Sequence, residues 1–263
     1  EFERAQSLFN KHDYVSAKSL LDELWRKTAA PELYEARTHL CAAYAAWDDW
    51  RIGEAKSALQ QAIQTIERYG RLNSNTPLYG QLPRLQEQSK TLLTLEQALT
   101  VEPDILLNEK RCYRALLGTF RAGALRQEAR GKLDVAALMW YRIIEFLSQR
   151  RLRGYGLLTS NPDYSNLNQS SQEVLQRFQS AMRATSNKNN DLPQELPSPI
   201  ALLEGYYLLQ ALDDPFMQNI HVGKIRGKIN ARNRGIFAHG FKPLSIADYN
   251  DFKELAEGLL DSF

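Results

Sequence analysis

The chain has 263 residues, 43% hydrophobic and 24% charged, with a formal net charge of +2. That length allows one large domain or two smaller ones with a sizeable core, and the small net charge does not by itself announce a nucleic-acid binder. No apolar run approaches the roughly 20 residues needed to span a bilayer, and Glu1-Phe2-Glu3-Arg4 does not resemble a secretory start, so a cytoplasmic location without a membrane partner is expected.

Cys41 and Cys112 each sit in a helical-looking segment with no metal-ligand partner at suitable spacing, and are expected to be reduced, packed thiols. The sequence opens at Glu1 rather than Met. A mature product, a trimmed chain or a fragment of something longer is the expectation.

From Glu1 to about Tyr69 the apolar spacing is helical. Phe2, Ala5, Leu8 and Phe9 form one set, Tyr14, Ala17, Leu20, Leu21 and Leu24 a second, and Ala55, Leu59, Ala62, Ile63 and Ile66 a further one. The pattern is helical-repeat-like, without the roughly 34-residue period of a tetratricopeptide array. Trp25, Trp47 and Trp50 follow the apolar face and are expected to pack between helices rather than to cage a ligand. Gly70 to Pro83 breaks the pattern; it resumes from Leu85 to Thr100, and Glu102-Pro103-Asp104 breaks it again. The expected division is a linker or repeat-like domain over 1–102 and a second helical domain over 103–263.

In the second part, the spacing predicts one long helix from about Asp104 to Arg130, ended by Gly131, with Asp134 capping the next helix over Val135 to about Arg153. Glu145 falls on the same side as Leu138, Tyr141 and Leu152; a partly buried carboxylate there needs a cationic partner, for which an arginine of the terminal motif is the candidate, and a solvent-facing Glu145 is the equal alternative. Residues 154–199 read as a polar insertion with one helix around Val174, Leu175, Phe178 and Met182. A helix from Ile200 to Leu212 stops at Asp213-Asp214-Pro215, and the last runs from Ser245 to Phe263 with Ile246, Tyr249, Phe252, Leu255, Leu259 and Leu260 turned inward. No segment shows sustained period-two alternation. The expected fold is all-α.

The chemistry concentrates in Lys228-Ile229-Asn230-Ala231-Arg232-Asn233-Arg234-Gly235-Ile236-Phe237-Ala238-His239-Gly240-Phe241. No acidic residue occurs from Pro215 to Ala247, and Lys224 and Arg226 add to the local positive charge, so these two and Lys228 are candidate RNA contacts. On a regular helix, positions seven apart share a face, which pairs Arg232 with His239; a break at Gly235 brings in Arg234 instead. Arg offers a planar fork to phosphate oxygens, and His titrates near neutrality and transfers protons, worth about 10² to 10⁴ in rate. Such a pair suits RNA cleavage with the 2′-hydroxyl as nucleophile, without a metal or other cofactor. By spacing alone this signal is weak, and a surface Arg with a packed His is the favoured reading.

Arg232-Asn233 followed by His239 resembles the Arg-Asn…His signature of HEPN ribonucleases, and Ala238-His239-Gly240-Phe241 is similar to the CARF-HEPN ribonucleases of type III CRISPR systems. Gly131-Lys132-Leu133-Asp134-Val135-Ala136-Ala137 with Trp140 to Gln149 resembles the second HEPN helix, and Leu8-Phe9-Asn10 to Ala17 the helical segment that follows the sensor there. The resemblance implies a HEPN helical bundle and a homodimeric, metal-independent endoribonuclease acting on single-stranded RNA. Arg232, Asn233 and His239 would be catalytic, with Glu145 and Arg234 in support. It further implies switching by cyclic oligoadenylate through a sensor domain, of which this chain carries no strand-and-glycine pattern. Gly235 stands where a small polar residue is expected. A non-catalytic helical module that binds RNA or protein is the alternative.

Overall fold

The computed structural model describes residues 1–28, 31–70, 77–185, 192–233 and 243–263; for Glu32, Leu33 and residues 231–233 it describes the backbone alone. The described residues form α-helices, short 3₁₀ turns and connections, with no strand among them. They group into two compact units, Glu1–Val101 and Glu102–Phe263.

The first unit holds α1 (Phe2–Asn10), α2 (Tyr14–Lys27), α3 (Glu32–Asp48), α4 (Ile52–Gly70) and α5 (Leu82–Ala98), each packed on its neighbour in sequence. Pairing of successive helices is what a repeat-like array requires. Small residues allow the close approach: Ala17, Ala55, Ala62 and Ala98 are fully buried. Helix α3 lies between α2 and α4, so its buried residues (Ala36, Leu40, Cys41, Ala43, Ala46) are not confined to a narrow stripe. At the α1–α2 turn His12 takes φ 60°, and Asp13 caps α2 by accepting the Ser16 amide at 3.2 Å. His12 Nδ1 lies 3.0 Å from the Tyr14 hydroxyl, which gives this histidine a structural partner. Burial pushes the Cys41 thiol up to about 12, and Cys112 is raised for the same reason; both are free and buried.

The second unit contains α6 (Pro103–Asn108), α7 (Lys110–Ala129), α8 (Leu133–Arg153), α9 (Ser171–Thr185), α10 (Leu202–Ala211), α11 (Val222–Asn233) and α12 (Ile246–Asp261). Helix α8 is its axis: α6, α7, α10 and α12 all pack against it, and Trp140, Ile143, Ile144, Leu147 and Leu152 are fully buried. Two deeply buried polar side chains of this core find partners. Trp140 Nε1 donates to the Tyr249 hydroxyl at 3.2 Å, and the Tyr206 hydroxyl donates to the Ile144 carbonyl at 2.8 Å. Lys253 bonds Glu128 at 2.8 Å and joins α12 to α7.

Several sequence expectations change. The single helix from Asp104 is two, because Glu109 takes an extended ψ of 104° that lets α6 turn onto α7 and α8. Nothing in the side-chain pattern marks that break. Pro83 belongs to the first turn of α5 rather than to the preceding connection, a position where its missing N–H costs nothing. Trp50 lies in the α3–α4 turn at φ 59°. Gly131 does take the left-handed conformation, at φ 71°, but α8 already begins at Leu133 and Asp134 does not cap it. Ile246 is 69% exposed, while Tyr249, Phe252 and Leu259 are buried. No described helix is long and apolar enough to cross a membrane.

The polar insertion is tied down where it is described. Val174, Phe178 and Ala181 of α9 are buried, and α9 packs on α10. Tyr164 donates to the Pro197 carbonyl at 2.6 Å, Gln179 to the Pro193 carbonyl at 2.8 Å, and the Ile200 amide to Thr159 at 2.8 Å.

Tyr249→Phe strands the Trp140 indole N–H in a buried core, and we expect a loss of about 1 kcal/mol in urea unfolding with an unchanged denaturant slope.

Candidate active site

Helix α11 carries the first half of the Arg-Asn…His motif. Val222, Ile225 and Ile229, at spacings of three and four, are buried and seat it against α10 and α12. Arg232 and Asn233 are among its last residues; their side chains, together with Arg234 and His239, lie outside the described residues.

The three candidate RNA contacts upstream have different surroundings. Arg226 donates to the Thr185 carbonyl at 3.0 Å, placing a guanidinium on the C-terminal end of α9, where a cation suits the helix dipole. Thr185 is held in turn by a 2.6 Å hydrogen bond with the Tyr207 hydroxyl. Lys228 pairs with Asp251 of α12. The carboxylate missing from the 215–247 stretch is therefore supplied across the helix pair. Lys224 lines a groove of about 540 Å³ between α11 and α12, together with His221, Lys228, Asp251 and Glu254.

The far side of the motif is fixed by a contact that sequence reasoning missed. The Leu244 amide donates to Asp134 Oδ1 at 3.1 Å, so the carboxylate expected to cap α8 instead holds the chain as it leaves the motif. Ser245 then caps α12, accepting the Asp248 amide at 3.1 Å. The motif is bracketed by α11 on one side and the first turn of α8 on the other. Glu145, further along α8, is partly buried and pairs with Arg142 on its own helix.

A second missed element is the buried Asp214, expected only as part of a helix stop. Its side chain is 0% exposed; it accepts from Arg151 Nη2 at 2.7 and 2.8 Å and Nε at 3.1 Å, and also from the Phe216 amide at 2.8 Å. Arg151 therefore does more than solvate the end of α8: it fixes the turn from which α11 starts. Burial, reinforced by a hydrogen bond to Asp214, pushes the Tyr155 hydroxyl up to about 12. An Asp-Pro pair after an apolar helix, with arginines ending another, is the only sequence signal of this link. Among the described residues no three His, Cys, Asp or Glu side chains gather as a metal-ligand set.

Asp214→Ala leaves the Arg151 guanidinium without its carboxylate and removes the cap of the turn. Because Arg151 is one-third exposed, we expect a loss near the lower end of the buried-pair range, about 3 kcal/mol in chemical denaturation.

Two family models match the chain in succession: the Csm6 6H domain over residues 1–93 and the Csm6 HEPN domain over residues 107–262. A CRISPR system endoribonuclease Csm6 from Thermus thermophilus is 27% identical over 263 residues, which cover 97% of this chain and 53% of that protein. The chain spans about half the length of that curated relative. With the HEPN model covering more than half of its residues, the chain belongs to the Csm6 HEPN-domain family.

Proposed function

We propose that this protein is a metal-independent endoribonuclease that cleaves single-stranded RNA, the effector part of a type III CRISPR antiviral defence protein. The observation that carries the reading is the HEPN match over 107–262 together with Arg232-Asn233…His239 within it. The relative is named a CRISPR system endoribonuclease.

In this reading His239 takes the proton from the 2′-hydroxyl or delivers one to the leaving 5′-oxygen. The 2′-oxygen bonds to phosphorus as the phosphorus–5′-oxygen bond breaks, leaving a 2′,3′-cyclic phosphate and a free 5′-hydroxyl. Arg232, with Arg234 in support, stabilises the charge that builds on the phosphorane, and Asn233 belongs to the same motif. Glu145 supports a motif arginine from α8. Lys224, Arg226 and Lys228 raise the positive potential along α11, Lys224 most directly because the other two are already engaged. The acting form is a cytoplasmic homodimer whose composite site takes Arg and His from both subunits, switched by cyclic oligoadenylate through a sensor domain outside this sequence.

His239→Ala and Arg232→Ala should each abolish cleavage of a labelled single-stranded RNA, with wild-type products ending in 2′,3′-cyclic phosphate. Activity should survive EDTA; its loss on chelation rejects the metal-free mechanism. Unchanged cleavage and stability in Glu145→Ala would remove that residue from the site.

A further inference from the structure

We infer that the exposed face of α7, a helix other than the one that carries Arg232 and Asn233, is a binding track for the backbone of single-stranded RNA. This inference rests on the RNA-substrate reading above. Helix α7 carries Lys110, Arg111, Arg114, Arg121 and Arg126 against a single carboxylate, Glu128, which is bound to Lys253. Arg111, Arg114 and Arg121 fall at i, i+3 and i+10 and are all exposed, so they stand on one face over about 15 Å of helix. Arg121 reaches Glu257 at 3.5 Å while half exposed; Arg111 and Arg114 meet no carboxylate among the described residues.

A further observation points to an anion from outside. The first turns of α7 contain Lys110, Arg111 and Arg114, with the N-cap Glu109 as the adjacent carboxylate, so cations outnumber it at the positive end of the helix and an external negative charge is favoured there.

The chemistry of the face favours RNA over a protein partner. Between the arginines lie Gly118 and Ala122, both exposed, and no large hydrophobic side chain on α7 is exposed. A protein interface draws its energy from buried aromatic and aliphatic anchors, which this face lacks, whereas a polyanion needs only spaced cations. At Gly118 an added Cβ meets nothing within 4 Å, so the surface between the arginines is open.

The test is fluorescence anisotropy with a labelled single-stranded oligoribonucleotide, in the His239→Ala background to prevent cleavage, across a salt series. The variants are the double substitution Arg111→Ala/Arg114→Ala and, separately, Gly118→Arg. The double variant should bind several-fold more weakly at low salt, with a log–log salt slope shallower by about 1.4, two phosphate contacts at about 0.7 each. Gly118→Arg should bind more tightly with a slope steeper by about 0.7, and this gain does not depend on tolerating a lost side chain. Affinity and slope unchanged in both variants overturn the track. RNA that is bound through α7 but never cut by the wild-type chain supports the track while rejecting the nuclease; cleavage with KM unchanged in the double variant does the reverse.

Discussion

Helix α8 holds both ends of the segment that carries the motif, and the arrangement of the second unit follows from that. Near its C-terminal end, Arg151 clamps the buried Asp214 at the turn before α11; in its first turn, Asp134 holds Leu244 just after the motif. The two anchoring residues are seventeen apart on one helix, about 25 Å. Because α8 is packed on by four other helices, it can serve as a rigid ruler for that segment. An ion pair with three charge-assisted hydrogen bonds offsets the cost of taking Asp214 wholly out of water, and the Phe216 amide meets a remaining lone pair.

Helix α11 is seated from two further directions by its own cations. Arg226 grips the end of α9 and Lys228 grips α12, so residues that first attract attention as RNA contacts also locate the helix that presents Arg232. Surface ion pairs such as Lys228 with Asp251 contribute little stability individually. Their value here is directional: the polar insertion, through Thr185, touches the same helix as the motif. The 154–199 stretch is thereby part of the support of α11 as well as a surface elaboration.

Helices were legible in the sequence wherever an apolar stripe met a conventional stop, as at Gly131 or Asp213-Asp214-Pro215. The break at Glu109 was not, because an extended residue between two helices of compatible spacing leaves no compositional trace. Ile246 was read inward by periodicity, but the first residue of a helix has no preceding turn to shelter it, and it is exposed. The Arg232 to His239 stretch stood out through residue type and family resemblance. Its supports did not, since Asp134 looked like a local cap and Asp214 like a local stop. A carboxylate at a helix start has a local and a tertiary use for the same oxygens, and only the folded chain decides between them.

Asp134 made that choice in favour of Leu244, and α8 consequently begins without a side-chain cap. The Asp134 carboxylate in its opening turn is engaged instead by the chain that returns from the motif. Opening of that turn therefore also removes a contact that holds the motif's exit. The helix on which four others pack has, at one end, a point where local fraying bears on the geometry of the site.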